Sequence, residues 1–255
     1  MKIVILSALP QEYAPLKKLF PALRPVRKKP PKKFAWNLPG KEVILIESGM
    51  GDKAVRQALA GELEGLFPEL LLFSGFAGGL HPDLVAGSVC FAAKTRCIEA
   101  ETMYSFEFSD ELAQFLAENQ VAPVLALTAQ TPGNKQVLSA LACGEPAVLD
   151  METAIVAEEA SSRQIPFICF RAVSDPVDHD LGFNLEDISD EQGRVRVLRV
   201  FATIMKKPST LLAFYLLWRS SSLAAKNLCA SVAAFLHLPA SELARMAEQI
   251  RVEKS

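Results

Sequence analysis

Short apolar runs of strand length alternate with amphipathic stretches along most of this chain. Residues 2–8, KIVILSA, form a run rich in Ile and Val, stopped by Pro10, which is tolerated in the first turn of a helix and starts one over 11–20. Residues 43–47 read as a strand, Ser48-Gly49-Met50-Gly51 as the turn after it, and a helix continues to about residue 67. Further runs at 70–73, 88–93, 121–128, 147–150 and 167–173 have the length and composition of strands. Helices are predicted over 109–119, with Ser109 as cap, over 135–143, and over 153–163. This alternation predicts an α/β fold: three layers, α/β/α, around a mixed, mostly parallel central sheet.

Three stretches depart from the pattern. Residues 24–33, RPVRKKPPKK, are basic and Pro-rich and are expected to form an exposed loop with solvated charges; a membrane-surface or anionic-ligand role is the sharper alternative. Residues 98–108 mix acids with aromatics that either line a pocket or cover the core. After residue 178 the character changes. Residues 184–205 read as a helix, Pro208 breaks the chain, 211–217 and 222–236 are apolar, and Pro239 starts a last helix ending near 250. We therefore divide the chain into a catalytic domain at 1–207 and a C-terminal helical extension at 208–255 packed on it. The run LLAFYLL is too short to span a bilayer, which needs about 20 apolar residues. Those helices are expected to pack on the sheet or on a second subunit; their aromatic content also raises a weak association with a membrane surface.

Composition narrows the function. A chain of 255 residues, 50% hydrophobic, can bury a large core. A formal charge of −2 gives no global reason to expect nucleic acid, whose binding leans on clustered Lys and Arg, so the ligand is expected to be small. Five scattered cysteines without metal-like spacing read as reduced thiols, and no metal is assigned to them. The start MKIVILSALPQEY carries one Lys before a short apolar run and then an acid, which suits a first strand better than a secretory signal; a cytoplasmic location is expected.

The chemistry-bearing residues gather at predicted strand ends. Glu12 follows the first strand, Asp150-Met151-Glu152 ends another, and Arg171-Ala172-Val173-Ser174-Asp175 ends a third. Parallel strands would bring these ends to one edge, where ligands of open α/β sheets sit. Carboxylates beside an arginine suit protonation of a leaving group at one end and activation of water at the other; the bland reading is that they cap helices and pair with basic residues. Ser74-Gly75-Phe76-Ala77-Gly78-Gly79 lacks the G-x-G-x-x-G spacing, which argues against a dinucleotide site.

Taken in order, Leu9-Pro10-Gln11-Glu12, Ser48-Gly49-Met50-Gly51, the 74–79 turn, Asp150-Met151-Glu152-Thr153-Ala154 and Arg171-Ala172-Val173-Ser174-Asp175 resemble the nucleoside phosphorylase and nucleosidase superfamily. The likeness runs over roughly 1–205. It is nearest to methylthioadenosine/S-adenosylhomocysteine nucleosidases and hopanoid-associated adenosyl-nucleosidases. The resemblance implies that Asp175 is the general acid at the purine, oriented by Ser174. It implies that Glu152 binds the ribose hydroxyls, that Met151 packs on the sugar, and that Glu12 with Arg171 positions and deprotonates water. Gly75 and Phe76 would line the substrate, with Leu9, Met50 and Phe183 around the 5′ substituent. The implied activity is hydrolytic release of the base from a 5′-modified adenosine by a homodimer that needs no cofactor or metal. Phosphorylases of the superfamily carry an arginine where this chain has Phe73 and a small polar residue at Phe76, which argues for water over phosphate. The 130–134 turn lacks the aromatic motif that holds adenine in nucleosidases. A phosphate-dependent phosphorylase is the near alternative, and a non-catalytic nucleoside-binding or lipid-surface module the distant one.

Overall fold

The computed structural model describes residues 1–130, 135–177 and 210–254. Phe183, the helix expected at 184–205 and the turn at 131–134 lie outside the described residues. The first part of the chain folds as β1 (Lys2–Ser7), α1 (Pro10–Tyr13), α2 (Leu16–Leu19), β2 (Arg24–Arg27), β3 (Lys32–Leu38), β4 (Lys41–Glu47) and α3 (Asp52–Leu63). Next come β5 (Leu70–Gly79), β6 (Val89–Cys97), β7 (Thr102–Glu107), α4 (Asp110–Glu118) and β8 (Ala122–Thr128). The remainder is α5 (Lys135–Ala140), β9 (Ala147–Asp150), α6 (Thr153–Ser162), β10 (Phe167–Asp175), α7 (Thr210–His237), α8 (Ala240–Gln249) and β11 (Arg251–Lys254).

All described strands belong to one mixed sheet. β1 runs parallel to β4 and β5, and β5 parallel to β10, so the carboxyl ends of β1, β4, β5 and β10 share one edge. β10 also pairs antiparallel with β6, β6 parallel with β8, β8 parallel with β9, and β9 antiparallel with β5. These five strands close on themselves as a ring. Antiparallel pairs extend the sheet at both ends, through β3 and β2 beyond β4 and through β7 and β11 beyond β6.

Central strands are apolar on both sides because both sides are covered, as sheets with parallel crossovers require. Ile3 and Ile5 face a layer made by α1, α2, α4, α7 and α8, whereas Val4 and Leu6 face α3 and α6. The expected three layers are therefore present. The apolar second half of α7 is core: Leu228, Cys229, Val232, Phe235 and Leu236 are buried in the same cluster as β1, β5 and β10. Its first half exposes Tyr215 and Trp218. No single helix among the described residues is long and apolar enough to cross a membrane.

Residues 24–33 correct the expectation of a solvated loop. Arg24–Arg27 and the start of Lys32–Leu38 form an antiparallel edge hairpin. Pro25 sits on its outer strand, where a missing N–H costs no ladder bond. Three of its six charges have acidic partners: Arg27 and Lys33 pair with Glu62 of α3, and Lys32 with Glu47 of β4 at 3.1 Å; Arg24, Lys28 and Lys29 are exposed, as expected of solvated charges. Basic side chains on an edge strand also discourage pairing with another chain. In residues 98–108, Tyr104 and Phe106 are buried against α6 and β10, which favours the core-covering reading for both.

Candidate active site

Glu12 lies in the short helix that follows β1, and the backbone there turns it back under the strand ends. Its Oε2 accepts hydrogen bonds from the Ser7 hydroxyl (2.9 Å) and the Leu9 N–H (2.8 Å), and its Oε1 accepts one from the Phe76 N–H (2.9 Å). Burial raises its pKa above the ordinary carboxylate value, opposed by those two N–H donors, by Arg171 and by Ser7. A buried, hydrogen-bonded carboxylate whose proton affinity is raised is suited to take a proton from water. From the other side, the Cys229 thiol of α7 donates to the Glu12 main-chain carbonyl at 3.1 Å.

Arg171 sits mid-strand in β10, wholly buried, its guanidinium 4.0 Å above the Phe73 ring. Its Nη2 lies 2.5 Å from Asp150 and 3.9 Å from Glu152, and its Nε and Nη2 donate to Thr153 Oγ1 at 3.0 and 2.8 Å. Asp150 in turn accepts from the Thr128 and Thr153 hydroxyls and from the N–H groups of Glu152 and Thr153, so it both starts α6 and anchors the arginine. Burial disfavours the Arg171 charge, but Asp150, Cys169, Glu152 and Glu12 together hold its pKa above the ordinary value. Among the described residues its Nη1 has no hydrogen-bond partner. It points at residue 75: a Cβ there would collide with Nη1 and come within 3.0 Å of Glu12 Oε1. Glycine at 75 is therefore what allows the acid and the arginine to approach one another across β5.

Glu152 is buried at the start of α6, and its Oε1 accepts from the Gly51 N–H at 2.8 Å. Burial pushes its pKa up to about 7; Arg171 and the Gly51 N–H oppose the rise, and Asp150 and Glu12 add to it. Met50, Met151 and Leu9 are partly exposed.

Arg171 pairs in regular register with Gly75, and a bulge between Val173 and Asp175 then shifts Asp175 opposite Gly78. Ser174 Oγ donates to Asp175 Oδ1 at 2.6 Å. Lys135, the first residue of α5, pairs with Asp175 Oδ2 and donates to the Asp175 main-chain carbonyl at 2.7 Å. Asp150, Thr153 and Lys135 were not singled out individually from sequence. The strand-end acid Asp150 stood in view within the Asp150-Met151-Glu152 group; nothing local marks Lys135, which reaches Asp175 only through the tertiary fold.

Hydrogen bonds, ion pairs and strand register thus bring Glu12, Gly75, Phe76, Glu152 and Arg171 together, with Ser174 and Asp175 further along β10 beside Gly78. The expected shared edge of parallel strand ends holds for β1, β5 and β10 but not for β9, which runs antiparallel to β5 and carries Glu152 in from the opposite direction. Phe183 lies outside the described residues. An open cavity of about 270 Å³ is lined by Leu9, Ser48 and Gly49 together with Pro30 and Pro31.

The family described as Phosphorylase superfamily has a sequence model that matches residues 2–206. The 5′-methylthioadenosine/S-adenosylhomocysteine nucleosidase of Haemophilus influenzae (strain PittEE) is 25% identical over 209 residues, which cover 73% of this chain and 91% of that one. Among solved structures, the 5′-methylthioadenosine/S-adenosylhomocysteine nucleosidase of S. pneumoniae with a transition-state inhibitor superposes with a TM-score of 0.68 at 19% identity, over 92% of this chain and 98% of the other. The futalosine hydrolase of Helicobacter pylori strain 26695 gives 0.65 at 18% identity, over 91% and 97%.

Proposed function

We propose, from the premise that this chain belongs to the phosphorylase superfamily, that it hydrolyses the N-glycosidic bond of a purine ribonucleoside, a 5′-modified adenosine, and releases the base. The observation that carries the reading is the pair formed by buried Glu12, its proton affinity raised, and Arg171, whose Nη1 has no hydrogen-bond partner among the described residues; both groups close on the bare backbone of Gly75. A water bridging the two donates to Glu12 and accepts from Arg171. As its oxygen bonds to the anomeric carbon, the bond to the base breaks, its electron pair passes to the purine, and Asp175 supplies the proton that lets the base leave neutral. Glu12 takes the proton from water. Glu152, held by Gly51 and facing Arg171, accepts the ribose hydroxyls and so stabilises positive charge developing on the sugar. Met151 packs on the ribose. The cavity beside Leu9 is the place for the 5′ substituent.

Water is favoured over phosphate by the charges present. Glu12, Asp150, Glu152 and Asp175 are four carboxyl groups facing two cations, Arg171 and Lys135, and both cations already have carboxylate partners. A dianionic nucleophile would need a paired cation that the described residues do not supply, and Phe73 occupies the position of the phosphorylase arginine. The names of the Haemophilus and Helicobacter proteins, a nucleosidase and a hydrolase, agree with this choice. The test is base release by Asp175→Asn. Loss of the acid should lower the rate on the order of 10²–10³-fold with the fold intact, and an undiminished rate removes Asp175 from the mechanism.

A further inference from the structure

The acid side of the site is organised by a group that the chemistry above does not use. Lys135 Nζ donates to the main-chain carbonyls of Asp175 (2.7 Å) and Pro176 (3.2 Å) and also pairs with Asp175 Oδ2. Ser174 Oγ takes the remaining carboxylate oxygen, Oδ1, at 2.6 Å. Both side chains of the ion pair are 18% exposed, so solvent and salt screen it less than a surface pair. The opposite wall leaves room for it. A Cβ at Gly78 would come within 3.0 Å of Lys135 Cε, 3.1 Å of Nζ and 3.2 Å of Asp175 Oδ2. Tying down the end of β10 accounts for the two carbonyl contacts. It does not account for the carboxylate contact, nor for a bare backbone where that contact is made.

We propose that Lys135 is the positioning residue of the general acid, holding Asp175 through its main chain and its carboxylate in the orientation from which it meets the departing base. The proposal rests on the nucleosidase reading. Lys135 keeps its own protons throughout. The ion pair describes Asp175 after it has given up its proton. Asp175 enters the reaction protonated from solvent, with Lys135 still holding its main-chain carbonyls; as the glycosidic bond breaks it passes that proton to the base and becomes the carboxylate that the ammonium pairs with. Solvent returns the proton to Asp175 before the next turnover.

A double-mutant cycle separates this role from a structural one. Wild type, Lys135→Met, Asp175→Asn and the double variant are assayed for adenine released from 5′-methylthioadenosine, with kcat and KM determined separately and folding followed by thermal melts. Lys135→Met should lower kcat on the order of 10²-fold with KM changed only a few-fold. Lys135→Arg should recover most of the loss, and Lys135→Met should add little once residue 175 is Asn. Lys135→Gln, uncharged but still a donor, replaces Met should Met prevent folding. A wild-type kcat in Lys135→Met, or an equal fold-loss with Asp and with Asn at 175, overturns the proposal. Failure of the nucleosidase reading has a different signature: wild type itself releases no adenine, which sinks both.

Discussion

Replacing Glu152 by Gln should stabilise the protein at neutral and alkaline pH while impairing it as an enzyme. Glu152 is buried, and on folding its midpoint moves from an ordinary 4.5 to about 7, chiefly through loss of hydration. Below pH 4.5 the carboxyl is neutral in both folded and unfolded chains, and its contribution to stability is fully present. Between pH 4.5 and 7 the unfolded chain releases the proton and the folded protein retains it, so stability falls by about 1.4 kcal/mol per pH unit, then levels off above the folded midpoint. The accumulated loss is about 3 kcal/mol by pH 8. Glutamine keeps an oxygen for the Gly51 N–H and cannot ionise, so it escapes that loss. Urea unfolding from pH 4.5 to 8.5, followed by fluorescence of the buried Trp36, measures the difference. The variant's advantage should grow with pH by about 3 kcal/mol, or roughly 6–12 °C in melting temperature. Two parallel stability curves would refute the claim that Glu152 is held above its ordinary pKa at a cost to the fold.

Gly75→Ala places a methyl group against Arg171 Nη1 and Glu12 Oε1 and should lower base release on the order of 10²-fold, measured against a melting temperature that changes far less than a core disruption would require. Thr153→Val keeps the shape of the side chain but removes the hydroxyl that accepts from Arg171 and donates to Asp150; it should cost about 1–3 kcal/mol in urea unfolding, and an unchanged midpoint would show the bridge to be dispensable.

The strand–helix–strand unit that carries most of the site was legible because each of its parts is locally consistent. Its strands were expected at 147–150 and 167–173 and its helix at 153–163; they fold as Ala147–Asp150, Phe167–Asp175 and Thr153–Ser162. Apolar runs buried on both faces and an Ala-rich helix leave little choice of structure. The Arg24–Arg27 and Arg251–Lys254 strands were not legible, since edge strands carry charge and lack an apolar face, and what holds them is a partner strand distant in sequence. The site divides in the same way. Glu12, Glu152, Arg171 and Asp175 stand out as ionisable groups at the ends of apolar runs. The polar groups that aim them do not: Thr153 reads as an ordinary first helical residue, and Lys135 as a surface lysine, until the register of β10 on β5 and the approach of α5 bring them to their acids. Arg171, expected beside the nucleophile, is also tied to the start of α6, because Asp150 and Thr153 engage its Nε and Nη2.

Hydrolysis of a 5′-modified adenosine is tested most directly by the fate of the oxygen at the anomeric carbon. The protein is incubated with 5′-methylthioadenosine in phosphate-free buffer made with ¹⁸O-water, and base and sugar are analysed by mass spectrometry. Release of adenine without added phosphate, with one solvent ¹⁸O in the sugar product, is the predicted result. Adenine that appears only when phosphate is supplied, together with a sugar 1-phosphate, would contradict it.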